Sequence, residues 1–236
     1  MHRIRALTGP VSGEAAYAVG VDQQSLGALC QHLVVRWLYF YEMKVVDLSP
    51  LARLGGLREL AIRWNTKVSD LAPLGQLTGL EALMLEDVPR VADLAPLVAL
   101  RNLHVLDFSG GTWTKNRVTT LAPLADLPAL AELTLSNLAV GQDGLLPLAG
   151  CRALRSLTLS NQFATEDYAF LSVRLPGTAC SMFAPFVSLA SPINGKDVMV
   201  VGKGKPFLCQ SKDRQRLERY MSAFKALQSK HAKPGS

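Results

Sequence analysis

Charged side chains are scarce in this sequence, at 19%, and aromatic ones scarcer, at 7%, while apolar residues make up 49% of its 236 positions. That balance excludes an intrinsically disordered chain, which needs the opposite proportions. No apolar run reaches the roughly 18 residues that crossing a bilayer requires, so a membrane partner is not expected. Nor is a secretory leader expected. His2, Arg3 and Arg5 supply a basic start, but Gly, Pro and Glu interrupt LTGPVSGEAAYAVG, where a leader keeps an unbroken apolar stretch. A cytoplasmic location is therefore expected. The four cysteines, Cys30, Cys151, Cys180 and Cys209, lie far apart with no CxxC spacing, which argues against a zinc site and, without an export signal, against a disulfide framework.

Chemistry-bearing constellations are equally sparse. His2, His32, His104 and His231 are scattered, and none has a second ligand at metal spacing. GKGKP at Gly202 lacks the G-x-x-x-x-G-K-[ST] frame of a phosphate loop and reads as a turn. Glu86 and Asp87 form an adjacent acidic pair better suited to meeting a basic residue than to acid/base work. No metal or cofactor is implied, and the chain is not expected to be an enzyme.

What the sequence does contain is one phrase used over and over. VVDLSPLARLGGLREL from Val45 returns from Val68, Val91 and Val118, aligning Pro50, Pro73, Pro96 and Pro123, with a looser copy at Pro147. The steps between these prolines are 23, 23, 27 and 24 residues, a period that means a solenoid. Each unit has two halves. The first is a Leu-x-x-Leu-x-Leu strand, as in Leu57, Leu60 and Ile62 or Leu103, Leu106 and Phe108, with Val34, Trp37 and Tyr39 predicted to fill these places in the first unit. The second half carries apolar residues every third position, fitting a short helix or a 3-10 segment. Asp47, Asp70, Asp93, Thr120 and Gly144 stand at its start, with Pro in the first turn, where a missing N–H costs nothing.

The pattern V-x-D-L-A-P-L-x-x-L-x-x-L-x-x-L-x-L resembles the leucine-rich repeats of the internalin type. That resemblance implies a right-handed α/β solenoid with a parallel sheet on its concave side, short helices or 3-10 segments on its convex side, and work as a protein-binding scaffold. Residues 34–175 carry the repeats. Residues 1–33, with a strand near Ala16 to Asp22 and a helix near Ser25 to Leu33, read as an N-terminal cap. Residues 176–236 read as a C-terminal cap: a hairpin turning at Gly202 to Gly204, then a helix with Leu217, Tyr220, Met221, Phe224 and Leu227 on one face, and a frayed HAKPGS end. The asparagine expected after each strand is clear only at Asn65, with Asn137 and Asn161 one place early.

Two departures from the repeat bear on function. Ser109 to Arg117, SGGTWTKNR, lengthens one unit by four residues and places Trp113 in a loop, either as a tolerated insertion or at a partner's edge. The net charge of +6 concentrates in the tail, where residues 176–236 hold ten Lys/Arg against three Asp/Glu. A solvated basic helix and a segment binding an anionic surface or nucleic acid through Lys203, Lys205, Arg214, Arg216, Arg219 and Lys225 both fit that excess.

Alternation along each strand predicts which residues face outward. The N-terminal rows are large: Arg36, Leu38 and Phe40, then Glu59, Ala61 and Arg63, then Ala82, Met84 and Glu86. Val105 and Asp107 follow, and the last rows are small and hydroxylic. Tyr41 and Trp64 extend the first rows by one residue. The expected partner-binding set is Arg36, Phe40, Tyr41, Arg63, Trp64, Met84, Glu86, Asp107 and Trp113, with the aromatic and arginine content of an interface hot spot. The partner is expected to be a protein rather than nucleic acid, and the chain a monomer.

Overall fold

The computed structural model describes residues 11–232; the basic start of the chain at His2, Arg3 and Arg5 and the final residues 233–236 lie outside that range. The chain begins with β1 (Val11–Ser12), β2 (Ala15–Val19), α1 (Gln23–His32), β3 (Leu33–Val34) and β4 (Trp37–Tyr41). The units that follow supply β5 (Glu59–Arg63), β6 (Ala82–Glu86), β7 (Val105–Ser109), β9 (Glu132–Leu135) and β11 (Ser156–Leu159), with β8 (Asn116–Val118) and β10 (Leu138–Val140) as second strands of two of them. After α2 (Thr165–Arg174) come β12 (Phe186–Ile193), β13 (Lys196–Val200), β14 (Phe207–Leu208) and α3 (Arg214–Ala232).

The principal sheet has seven strands in the order β2, β4, β5, β6, β7, β9 and β11, all parallel. The inward Leu-x-x-Leu-x-Leu positions stack in register, Leu60 on Leu83 on Leu106 on Leu133, and each is at most 2% exposed. The convex halves are five-residue 3-10 turns at Ser49–Arg53, Ala72–Gln76, Ala95–Ala99, Ala122–Asp126 and Leu146–Gly150. Leucine every third residue is why: a 3.0-residue turn stacks such positions on one line, whereas an α-helix would rotate them away. Asp47, Asp70, Asp93 and Thr120 each accept the backbone N–H two residues on, at 2.8 to 3.0 Å, through Ser49, Ala72, Ala95 and Ala122. The aspartates thus close a turn just ahead of the 3-10 segment, one residue earlier than a helix cap would stand.

In the first unit the predicted register is off by one. Leu38 and Phe40 point inward, at 2% and 0% exposure, and Trp37, Tyr39 and Tyr41 take the outward places. The strand pairing gives the reason, because Leu38 lies beside Leu60 and Phe40 beside Ile62, a step of 22 residues, where the next units step by 23. Extending the 23-residue step backward lands on Trp37 and Tyr39. A shift of one residue exchanges the two faces of a strand completely.

Both ends are capped. At the start, β2 adds to the sheet beside β4, and Asp22 caps α1 by accepting the Ser25 N–H at 2.8 Å. At the far end α2, which the sequence did not disclose, buries Tyr168 completely; its hydroxyl donates to the Ser160 carbonyl at 2.6 Å and accepts from the N–H groups of Gln162 and Phe163. The expected hairpin is β13 with β14, joined by β12, an additional antiparallel strand. Asn161 ties it to the stack by donating to the Val200 carbonyl at 2.9 Å and accepting the Gly202 N–H at 2.6 Å. On α3, Leu217 and Phe224 are buried as expected, but Met221 is half exposed.

The inserted segment is only partly a loop. Its last residues form β8, which pairs in parallel with β10 as a small second sheet. Asn116 is fully buried there, accepting the Val88 N–H at 2.9 Å and donating to the Ser109 carbonyl at 2.8 Å. Asn137 donates to the carbonyls of Gly111 and Thr114 across the same loop. These side chains replace the backbone bonds that the longer unit cannot make.

Candidate functional site

The outward face of the N-terminal half is a continuous aromatic surface. Tyr17 on β2 and Tyr39 on β4 share a register position and stack, with ring centroids 4.8 Å apart and planes 14° off parallel. Continuing along that row come Ala61, Met84 and Asp107. In the next row Val19, Tyr41, Arg63 and Glu86 stand side by side. The N-terminal cap joins this sheet edge-on and so lengthens the surface instead of covering it. Trp37, Tyr17 and Val19 are 43%, 63% and 51% exposed.

Charge is organised inside that surface. The Arg63 guanidinium donates to Glu86 through Nη2 at 2.8 Å, places Nε 2.5 Å from the other carboxylate oxygen, and donates to the Tyr39 hydroxyl through Nη1 at 3.1 Å. These hydrogen bonds raise the Arg63 pKa, so the fork is held charged and fixed in direction. Burial lifts the Asp107 carboxyl above its usual range, opposed by a hydrogen bond from Ser109 and reinforced by nearby Glu86. Burial, then Glu86, does the same to Asp87.

Just past the strands the backbone turns through left-handed conformations at Glu42, Trp64, Asp87 and Asn137, with φ of 60°, 61°, 55° and 45°. Glycine holds the equivalent corner at Gly20, with φ of 67°. A tryptophan at such an angle is costly, of the order of 1–2 kcal/mol relative to glycine. Trp64 is nevertheless 48% exposed and packs edge-on against Tyr41, with centroids 5.9 Å apart. Trp64→Gly is expected to be more stable than Trp64→Ala by about 1 kcal/mol in chemical denaturation, because both lose the ring and only one relieves the backbone.

Trp64, Tyr41, Arg63, Glu86 and Asp87 line one side of a hollow of about 340 Å³ whose other side is the inserted loop, Gly111 to Thr114. Trp113 projects from that loop, 95% exposed. A shallower depression of about 240 Å³ lies beside it over Tyr39, Ala61, Met84 and Asp107. Of the nine residues singled out from the sequence, seven therefore converge: Tyr41, Arg63, Trp64, Glu86 and Trp113 around the first hollow, and Met84 and Asp107 at the second. Phe40 does not, being core. Arg36 does not either; it precedes β4 and its carbonyl accepts the N–H groups of Arg58 and Glu59 at the edge where strands begin. Trp37, Tyr39, Tyr17 and Val19 were missed, and a 22-residue alignment of β2, β4 and β5 would have found them.

The raised Asp107 pKa has a testable consequence. The folded state holds this proton more tightly than the unfolded chain, so the group's contribution to stability is full below the ordinary value of 3.8 and is lost as pH rises through the raised one. Asp107→Asn is expected to be more stable than the parent in thermal melts at pH 7, with the difference fading as the pH is lowered below that ordinary value.

No group of three His, Cys, Asp or Glu is placed to hold a metal among the described residues. The four cysteines are free thiols, and burial pushes those of Cys30 and Cys151 up to about 12. No described helix is long and apolar enough to cross a membrane.

Neither a protein-family model nor a characterised protein sequence matches the chain. Solved structures do. Internalin C2 from Listeria monocytogenes superposes with a TM-score of 0.51 at 23% identity, over 70% of this chain and 69% of that one. An internalin, inlF, from the same organism gives a TM-score of 0.49 at 21% identity, over 75% of this chain and 60% of that one. Likeness at this identity speaks to fold, and it agrees with the parallel sheet and 3-10 turns already described. The protein is a leucine-rich-repeat solenoid of the internalin-like short-repeat form.

Proposed function

We propose that this chain is a non-catalytic interaction scaffold that binds a partner protein on the concave face of its N-terminal half. The observation that carries this reading is the uncovered run of aromatic rings, Tyr17, Trp37, Tyr39, Tyr41 and Trp64, interrupted by one oriented ion pair. Exposed apolar surface of this extent costs solubility and serves binding. Tyr39, Tyr41, Trp64 and Met84 supply the apolar contact; Arg63, Glu86 and Asp107 set orientation; Trp113 reaches the partner's edge from the loop. A complex of ordinary size would bury roughly 800 Å² on each side. A cytoplasmic setting accords with four cysteines that remain thiols.

The tail offers less support for an anionic partner than its composition promises. Arg214 pairs with Glu218 and Arg216 with Asp213, each at 3.2 Å; Lys230 meets Glu166 at 2.7 Å; and Lys205 lies over the Tyr220 ring.

The test compares the parent chain with a Tyr39→Ala, Trp64→Ala double variant as affinity baits in lysate of the source organism, with circular dichroism confirming that both are folded. A protein captured by the parent and lost from the variant is expected. Equal capture by both, or no specific capture by the parent, contradicts the reading.

A further inference from the structure

A cleft lies away from the concave aromatic face, at the last turn of the stack. It has a volume of about 490 Å³ and is lined by Arg152, Arg155 and Arg174 together with Pro176, Gly177 and Thr178, and no carboxylate lines it. None of the three guanidinia has a carboxylate partner among the described residues. Arg174 only lies over the Phe170 ring, 5.4 Å from its centre.

Earlier units show what these positions do when nothing else is required of them. Arg58 occupies in its unit the place of Arg155, directly after the leucine that leads into the strand. Its Nη1 donates to the Gly79 carbonyl at 2.8 Å and its Nε lies 3.8 Å from Glu81 of the following unit. Arg101 occupies the place of Arg152 and donates to the Asp126 carbonyl of the following unit at 3.2 Å. At the last turn neither Arg152 nor Arg155 makes such a contact among the described residues, and the acid is gone. Ala179 stands where Glu81 stood, since its N–H donates to the Arg155 carbonyl at 2.8 Å as that of Glu81 does to Arg58 at 2.7 Å. The chain then leaves the repeat through Pro176 and Gly177, and the acid is not replaced.

Three like charges around one cleft repel one another and raise the local potential, which a bound anion relieves. Guanidinium forks match the paired oxygens of an oxyanion, and a cleft of this size exceeds a single small ion. We infer that the cleft formed by Arg152, Arg155 and Arg174 binds a multiply charged phosphate group, carried either by a free nucleotide or by a phosphorylated partner. This site is separate from the concave face, and its occupancy does not depend on what binds there.

Calorimetric titration of the full chain with pyrophosphate tests the site, with ATP and a phosphoserine peptide as further arms. Saturable pyrophosphate binding that weakens as salt is added is expected. Arg152→Gln with Arg155→Gln should weaken it by about tenfold or more, since each removes charge-assisted hydrogen bonds. Arg219→Gln with Lys225→Gln, on the exposed side of α3, should leave it within about twofold, a control for charge alone. Tighter binding of ATP than of pyrophosphate identifies a free nucleotide, and tighter binding of the peptide a phosphorylated partner. Absence of saturable binding, or equal losses in the two double variants, overturns the assignment. Tyr39→Ala with Trp64→Ala should leave pyrophosphate binding intact, so the fate of the concave-face reading is read separately.

Discussion

Phe40→Ala is expected to destabilise the protein by about 3–5 kcal/mol, while Tyr39→Ala, one residue away, costs about 1 kcal/mol. Phe40 is fully buried beside Ile62, at the inner layer of the stack, so truncation leaves a cavity walled by neighbouring turns that cannot collapse into it. Tyr39 faces outward; its loss removes one stacked ring and the hydroxyl that Arg63 contacts. Urea denaturation of both variants, compared at equal m-value, measures the difference. A reversed order would mean that the first strand carries the opposite register and that the concave surface described here is misassigned.

Asn116→Ala should cost about 2 kcal/mol, more than its small side chain suggests. Its amide meets two backbone groups, the N–H of Val88 and the carbonyl of Ser109; alanine leaves the Val88 N–H unsatisfied at about 1–3 kcal/mol, while the Ser109 carbonyl keeps the Asp87 N–H at 2.9 Å. Because these bonds join the inserted segment to the preceding unit, the loss should be local before it is global. Hydrogen exchange should show the Val88 amide exchanging faster in the variant under native conditions, ahead of the amides of β5. An unchanged Val88 rate would show that other groups hold the insertion in place.

The two residues illustrate what the sequence disclosed and what it withheld. The repeat is legible because burial of leucine every second or third residue forces a regular spacing, and β5, β6, β7, β9 and β11 fall in the expected register. Phe40 was misplaced because β4 is one residue closer to β5 than β5 is to β6 or β6 to β7, and an alternating pattern gives no warning of a single slip. That strand, WLYFY, is apolar on both faces, so hydrophobicity could not arbitrate. Asn116 went unnoticed because it stands inside the insertion, where no period predicts a position. The candidate site was legible at Arg63, Trp64, Met84, Glu86 and Asp107, whose units repeat cleanly, and at Tyr41, which is level with Arg63 and Glu86 at the strand ends. It was obscured at Tyr17, Trp37 and Tyr39, where the cap departs from the repeat. The three arginines of the last turn were hidden for a different reason: what distinguishes them is the absence of partners that exist only in three dimensions.

The strain at Trp64 and the raised proton affinity of Asp107 point the same way. Each position carries a side chain that the fold alone does not favour, and both lie on the aromatic half of the concave face. The C-terminal rows of the same sheet, Glu132, Thr134, Ser156 and Thr158, carry small or polar groups and no ring. These features are why the proposed binding is placed on one half of the sheet.

The most direct measurement is site-specific photo-crosslinking with benzoylphenylalanine placed either at Tyr39 on the concave face or at Leu146, which is half exposed on the convex side. The account predicts a discrete crosslinked product with a partner protein from position 39 and none from position 146. A product from position 146 alone would contradict it.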